Sequence, residues 1–350
     1  MNNNNRYKYA LVDLSYILVR NLKAISSGKQ VGEYNEGEVL RITIQTIKKI
    51  IRDYNITADK YIFIYDKWDK SINGYYRTYL LKDFVEYKGT RVYVNAEYVR
   101  NLEKQLEEMD PSDTAGIEKL KKDIEKAKKD CYENTVKYKT KEAMINDLCN
   151  IGLPCVGLEG WEFDDLAWLS TCLLFNDPEN KPSIIITKDS DLQYSLSPRM
   201  DYFKIPTAKS APKIYTYDEM VKTIPQRILD RNVSLYDYKA YMDSLGNGHN
   251  DMKPTVLTET PIDDIIIHIL DGDYSDVNKE QFLAQFNSFD LHKFPNLDQA
   301  YKIVNEDFKK IGHIGNLDQF HEFCSKYNIN SISDRYYMEL VQGFNPLLFS

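Results

Sequence analysis

The apolar residues of this chain fall in short, unbroken runs set between amphipathic and polar stretches. YKYALVDL over 7–14, KYIFIYD over 60–66 and PSIIIT over 182–187 are the clearest. Each reads as a strand covered on both faces, the pattern of a parallel sheet. Between the first two runs, Val39, Ile42, Ile44, Ile47 and Ile51 recur at helical spacing among Lys48, Lys49 and Arg52, which predicts an amphipathic helix over 37–54. Strand, helix, strand in that order points to an α/β fold built on a mostly parallel sheet flanked by helices. The same order returns after residue 140. TKEAMINDLCN predicts a helix over 140–150, GLPCVGLE a short strand, GWEFDDLAWLSTCLLF a helix, and MDYFKI a further strand.

Two regions break the pattern. Residues 71–140 are polar, and NLEKQLEEMDPSDTAGIEKLKKDIEKAKKDCYEN predicts two charged helices interrupted around Asp110 and Pro111. On residue pattern this is a solvent-exposed helical hairpin; the functional alternative is an arm projecting from the sheet. Beyond about residue 215 the chain turns helical and less regular, with loops at SLGNGHNDMKP and DGDYSD. The reading therefore divides the chain into an α/β domain over 1–215, with an arm at about 71–140, and a helical region over 216–350.

Composition narrows the class. With 43% hydrophobic residues, the chain can bury a core. No run of about eighteen apolar residues occurs, so no transmembrane helix and no membrane partner is expected. The start, MNNNNRYK, lacks the apolar core of a secretory signal. Five cysteines (Cys131, Cys149, Cys155, Cys172, Cys324) form no CxxC pair and suggest buried free thiols in a reducing, cytoplasmic setting, the host cytoplasm if the source is viral. The net charge of −8 argues only weakly against nucleic acid, since binding needs a local basic surface.

What stands out chemically is where the carboxylates fall. Asp13 ends the first apolar run and Asp66 the second; Glu162, Asp164 and Asp165 open the helix GWEFDDLAWL; Asp189 and Asp191 follow SIIIT. Singly, each has an ordinary explanation. Acids in a first helical turn complement the helix dipole, and an Asp after a strand is often a turn former. Asp66 beside Lys67 could be a surface ion pair. The set is harder to explain, because Glu162 and Asp165 lie three apart, share a helix face and repel. At strand ends, where parallel sheets bind ligands, such a cluster reads as an oxygen-only site for Mg²⁺ or Mn²⁺. Downstream of Asp66 lies a basic stretch. Arg77, Lys82, Lys88 and Arg91 are candidates for phosphate contact, and Tyr76, Tyr79 or Tyr87 for stacking on a base, against the plain alternative of a solvated helix end. No Ser/His/Asp set is evident, and the five histidines are scattered and read as structural.

In order, ALVD, YIFIYD, RTYLLKDFVEYKGTR, GLPCVGLEGWEFDDLAWLS and IIITKDSDLQYSL resemble the flap endonuclease and 5′-3′ exonuclease superfamily, a PIN-like fold, and within it the bacteriophage ribonuclease H type. The likeness spans roughly residues 7–256. It implies that Asp13, Asp66, Glu162, Asp164, Asp165, Asp189 and Asp191 bind metal, with Asp164 and Asp189 central to catalysis. It implies that Lys88 and Arg91 steer the scissile phosphate at the base of a helical arch, with Tyr87 beside them. It also implies a helix–three-turn–helix element gripping duplex, for which the candidate is Ser244 to Pro254. Gly246 and Gly248 would then approach the nucleic acid. Asp251 would supply the last carboxylate if the loop is aligned on Pro254, and Asn250 would stand there if it is aligned on Gly246.

The reaction implied is phosphodiester hydrolysis with two divalent cations about 4 Å apart, in primer removal during DNA replication or repair. The substrates implied are DNA with a 5′ flap or a nick, or an RNA–DNA hybrid, acted on by a monomer. A single-stranded DNA-binding protein is a further partner, as is a sliding clamp met by the apolar tail GFNPLLFS. Two rivals stand beside this reading: a PIN-type ribonuclease without the duplex grip, and a non-catalytic nucleic-acid-binding protein of the same fold.

Overall fold

The computed structural model describes residues 6–72, 74–81, 94–148, 150–153, 155–174, 181–207, 210–246, 254–308, 317–329 and 334. The chain opens with β1 (Tyr7–Asp13), α1 (Leu14–Ser26), α2 (Glu36–Asp53), β2 (Ala58–Ile64) and α3 (Tyr76–Leu81). It continues through α4 (Ala96–Glu107), α5 (Thr114–Ala143), β3 (Cys155–Val156), α6 (Phe163–Leu174), β4 (Ser183–Thr187), β5 (Met200–Lys204) and β6 (Lys213–Tyr215). Helices follow: α7 (Tyr217–Val221), α8 (Gln226–Leu229), α9 (Leu235–Ser244), α10 (Ile262–Leu270), α11 (Lys279–Asn287), α12 (Leu297–Lys302) and α13 (Leu317–Lys326). No described helix is long and apolar enough to cross a membrane.

The chain forms two compact units, one of Met1–Ser15, Ile56–Thr90 and Pro154–Gly312, the other of Tyr16–Asn55, Arg91–Leu153 and His313–Ser350. This differs from a boundary at 215. The helices after β6 do not separate, because Ile228, Leu235, Ile265 and Phe282 share one apolar cluster with Leu11, Ile64 and Ile185 of the sheet. Sequence pattern finds the helices but not the face on which they bury.

In the first unit the strands run in the order β3-β2-β1-β4-β5-β6. All neighbours are parallel except β5 and β6, so the fold is α/β with a mixed, mostly parallel sheet. The antiparallel edge strand β6 has only three residues and too little pattern to announce itself. β4 is buried at every position, as its unbroken apolar run requires. From β1 the chain builds outward through β2 on one side and β4 on the other. The order therefore reverses between β1 and β4, which is where open α/β sheets bind ligands at their strands' carboxyl ends.

Beyond the sheet, two polar clasps hold the helical segments. Lys239 Nζ meets Asp243 Oδ2 at 2.5 Å, both side chains largely buried, at the end of α9. Asp276 receives Thr258 Oγ1 at 2.7 Å and Thr260 Oγ1 at 2.9 Å on one oxygen, and meets His268 Nδ1 at 2.7 Å on the other. Just past α9, Gly246 has φ +79°, and a Cβ there would lie 2.4 Å from Pro254 Cα. Glycine alone suits both the backbone angle and the close approach. Asn247, Gly248, Asn250 and Asp251 lie outside the described residues, as do Lys82, Tyr87, Lys88, Arg91 and the tail over 344–350.

The second unit is helical. Asn35 caps α2 by accepting the Glu38 N–H at 3.1 Å, and the stripe Val39, Leu40, Ile44, Ile47 and Ile51 is buried. In the polar stretch after residue 94, Asn95 caps α4 and Asp113 caps α5, with the expected break between them at Asp110 and Pro111. α5 runs 30 residues with few buried positions, and Lys128 ties it to Glu103 of α4 at 2.7 Å. Its end differs from the expected separate helix over 140–150: α5 passes directly into a wide turn over Met144–Leu148. Among the described cysteines none is fully buried, and Cys172 is exposed, so the expectation of buried thiols does not hold for them.

Candidate active site

The carboxyl edge of the sheet is where the acids arrive. Asp13 is the last residue of β1 and is buried. Its Oδ2 accepts a hydrogen bond from Thr187 Oγ1, the last residue of β4, at 2.7 Å. The same hydroxyl oxygen accepts the Asp189 N–H at 3.1 Å, and Asp189 Oδ1 accepts the Asp191 N–H at 3.0 Å. One threonine thus clasps the two strand ends at the reversal point and sets the Asp189–Asp191 turn against Asp13. Nothing in the sequence marks it, since threonine at a strand's end is ordinary β-propensity.

Asp66 follows β2. Its N–H donates to Ser15 Oγ at 3.0 Å, and its Oδ1 accepts the Phe163 N–H at 2.8 Å. It therefore satisfies one of the orphan donors at the start of α6, from a distant segment. Lys67 pairs with Glu159 at 3.4 Å and not with Asp66. Its backbone exchanges two further bonds with the approach to α6: Lys67 N–H to the Trp161 carbonyl at 3.1 Å, and Gly160 N–H to the Lys67 carbonyl at 2.8 Å. Gly160 has φ +78°, and a Cβ there would fall 2.5 Å from the Tyr76 ring, which fixes glycine at this stitch.

At α6 the three acids divide. Asp165 is 1% exposed, and both its oxygens are engaged, Oδ1 by Arg77 Nη2 at 2.5 Å and Oδ2 by the Glu162 N–H at 3.0 Å. Asp164 is half-buried. Its pKa is raised well above the usual carboxylate range by burial first, then by the charges of Asp189 and Glu162, with Arg77 offsetting part of the rise. The electrostatics thus couple acids from two separated segments, the start of α6 and the turn after β4. Tyr202 of β5 feels the same field. Its pKa is raised by burial and then by Asp189, Tyr215, Asp191 and Asp13, and its hydroxyl is buried without a hydrogen-bond partner among the described residues.

Two expected surface groups turn inward. Arg77, a candidate phosphate contact, is buried on α3, paired with Asp165, with its guanidinium 5.0 Å from the centroid of the Phe289 ring. The repulsion expected between Glu162 and Asp165 is relieved by this cation and by the backbone bond between the two residues. Tyr76, a candidate for base stacking, is buried, and its hydroxyl donates to Asp69 at 3.0 Å. Tyr79 remains exposed. Sequence spacing gave the positions of these side chains but not the direction each faces.

The side chains gathered at this edge are carboxylates and hydroxyls, a donor set that suits a hard divalent cation, and Tyr202 adds an orphaned hydroxyl beside them. Among the described residues no three His, Cys, Asp or Glu side chains already stand grouped to hold one ion. Asp165 and Asp66 spend oxygens on Arg77 and on the Phe163 N–H instead.

No protein-family model matches the sequence, and no curated protein matches it. Among solved structures the chain is similar to the bacteriophage T5 D15 flap endonuclease in complex with DNA and metal ions, at 15% identity and a TM-score of 0.45, over 92% of this chain and 99% of that one. The T5 D15 protein co-crystallised with metal ions gives 16% and 0.47, over 91% and 99%. The catalytic core of Rad2 in complex with DNA substrate gives 12% and 0.41, over 97% and 93%. Likenesses this distant assign no residue in this chain, whose site stands on its own geometry.

Proposed function

We propose that this protein is a divalent-metal-dependent nuclease that hydrolyses phosphodiesters at 5′ flaps, nicks or RNA–DNA ends. The observation that carries the reading is the convergence at the sheet's reversal point. Asp13, Asp66, Asp189 and the acids opening α6 arrive from separate segments, and the pKa of Asp164 is raised well above the ordinary carboxylate range by burial first and then by Asp189 and Glu162. Carboxylates crowded so that they raise one another's pKa, at a ligand-binding edge, are what metal-assisted phosphate chemistry uses.

In this proposal Asp13, Glu162, Asp164, Asp189 and Asp191 would hold Mg²⁺ or Mn²⁺, closing on the ions from their present positions, with Asp66 and, from the loop after Gly246, Asp251 adding to the set. The cations, when bound, supply Lewis-acid activation of a water and neutralisation of the leaving oxygen. The protein's own part is positioning. Thr187 holds Asp13 and Asp189 together, Arg77 fixes the start of α6 through Asp165, and Asp66 holds that helix by the Phe163 N–H. Lys88 and Arg91 would offset charge on the phosphate as it is attacked. The test is a Mg²⁺-dependent cleavage assay on a 5′-flap duplex, a nicked duplex, an RNA–DNA hybrid and single-stranded RNA, with EDTA as control. Cleavage of the first three supports the reading; cleavage of single-stranded RNA alone would favour a ribonuclease, and none at all a binding protein.

A further inference from the structure

Directly after Asp66 the chain makes a tight hairpin that the proposed metal site does not use. Asp69 and Gly74 exchange a close pair of backbone bonds, at 3.0 and 3.1 Å. The Asp69 carboxylate then locks the turn from inside. Oδ1 accepts Ser71 N–H at 2.7 Å and Ser71 Oγ at 2.6 Å, while Oδ2 accepts the Tyr76 hydroxyl at 3.0 Å. That hydroxyl also accepts from Asn296 Nδ2 at 3.0 Å. The hairpin's entrance is fixed by the two backbone bonds of Lys67 to Gly160 and Trp161, and its exit by the Tyr76 N–H donating to the Gly160 carbonyl at 2.8 Å.

What this rigid hairpin carries is an indole. Trp68 is 45% exposed, against 0% for Trp161 and a half-buried Trp168 stacked on Tyr236 at 3.8 Å. Tyr75, across the hairpin, meets Trp68 at 5.4 Å between centroids with the rings at 78°. An edge-to-face contact orients the indole and covers at most one of its two faces. Lysines neighbour it along the chain, Lys70 exposed and Lys67 partly exposed and paired with Glu159. Leaving a large aromatic ring in water is unfavourable, and burial of rings by stacking is a sequence-tolerant way of holding single-stranded nucleic acid.

We infer that Trp68, braced by Tyr75, is a stacking platform for an unpaired nucleobase of the strand whose backbone reaches the carboxylates. The inference rests on the nucleic-acid reading above and adds to it a binding residue outside the acidic cluster and the basic stretch. The position fits that role: Trp68 lies two residues beyond Asp66, on the segment whose backbone is bonded to the approach of Glu162 and α6. A base held there would fix the register of the strand relative to the acids without reading its sequence.

The test is binding in EDTA, so that cleavage plays no part. The probes are oligo-deoxythymidine and an oligomer of abasic deoxyribose phosphates of the same length. Thymidine should quench the protein's tryptophan fluorescence, and W68F should abolish most of the quench while melting at the same temperature. W68A should weaken oligo-deoxythymidine binding by roughly tenfold, W68F by less, since one stacked base contributes about 1–3 kcal/mol and 1.4 kcal/mol is tenfold. The abasic oligomer should bind wild type and W68A alike. A quench that survives in W68F, or an equal loss of both oligomers in W68A, overturns the platform. The two readings fail separately. A Trp68-dependent quench without Mg²⁺-dependent cleavage refutes the nuclease, and cleavage without that quench refutes the platform.

Discussion

The start of α6 and the end of α9 belong to the same unit, and both bury acid, but they settle their charge differently. At the end of α9 a single carboxylate, Asp243, meets a single ammonium, Lys239, at 2.5 Å, and the account closes. Lys239 further lies 5.0 Å from the centroid of Phe289, the ring that Arg77 approaches from α3 at the same distance. At the start of α6, Glu162, Asp164 and Asp165 share Arg77, which Asp165 takes at 2.5 Å, and the strain appears as the raised pKa of Asp164. The pair at α9 is closed between two side chains, whereas at α6 and the turn after β4 carboxylates from separate segments press on one another. An acid beside one cation tells of packing; acids crowded together where the sheet's order reverses tell of something that binds.

That contrast can be broken most sharply at its unbalanced end. Asp189→Asn and Asp164→Asn each remove a charge from the crowded set. Each is expected to lower Mg²⁺-dependent cleavage by orders of magnitude while the thermal midpoint stays level or rises, because a repulsion is relieved. Cleavage assays beside melting curves decide this, and full activity in the double variant would sink the metal-site proposal. The balanced part of α6 should respond in the opposite sense. Arg77→Met takes the paired guanidinium away from the buried Asp165, which costs about 3–5 kcal/mol, and calorimetric unfolding should show it. Adding Asp165→Leu should recover most of the loss, since a buried pair replaced by apolar side chains is often neutral. If the double variant stays as unstable as the single, the pair is not what holds the start of the helix.

The smallest effect concerns pH. Hydrogen bonding to Asp276 raises the pKa of His268, and hydrogen bonding to His268, with help from Thr258 and Thr260, lowers that of Asp276. A raised histidine gives stability that is full below its unfolded value and fades as pH climbs through the folded one. A lowered aspartate gives stability that is present above its unfolded value and fades as pH drops through the folded one. The clasp should therefore be tightest between the two, and His268→Gln should flatten the alkaline flank of a plot of melting temperature against pH. An unchanged flank in that variant would assign the pH response to other groups.

Much of this was legible in the chain itself, for a physical reason. Strands buried on both faces write unbroken apolar runs, so YKYALVD and SIIIT announced β1 and β4, and acids at their ends pointed to the edge where they now stand. What the sequence could not say is which neighbour each side chain would find. Arg77 reads as a surface cation until Asp165 and Phe289 are seen to enclose it. Tyr76 reads as a stacking ring until its hydroxyl is seen on Asp69. Thr187 and Tyr202 carry no signal at all, because in a strand their residue types are explained by propensity. The helices after β6 showed their periodicity but not their burial against the sheet, which is why the division into units falls elsewhere than at 215.

One further consequence lies in the contact between Gly246 and Pro254. The chain leaves at Gly246 and returns at Pro254 so closely that a Cβ on the glycine would lie 2.4 Å from Pro254 Cα, and the flank is anchored, since the Ser244 carbonyl accepts from Thr255 Oγ1 and Gln285 Nε2, each at 2.8 Å. Closing a loop whose ends already touch grows more costly only slowly with length. Changes in the number of residues between Gly246 and Pro254 should therefore cost the fold little, and melting curves of length variants would read that cost directly.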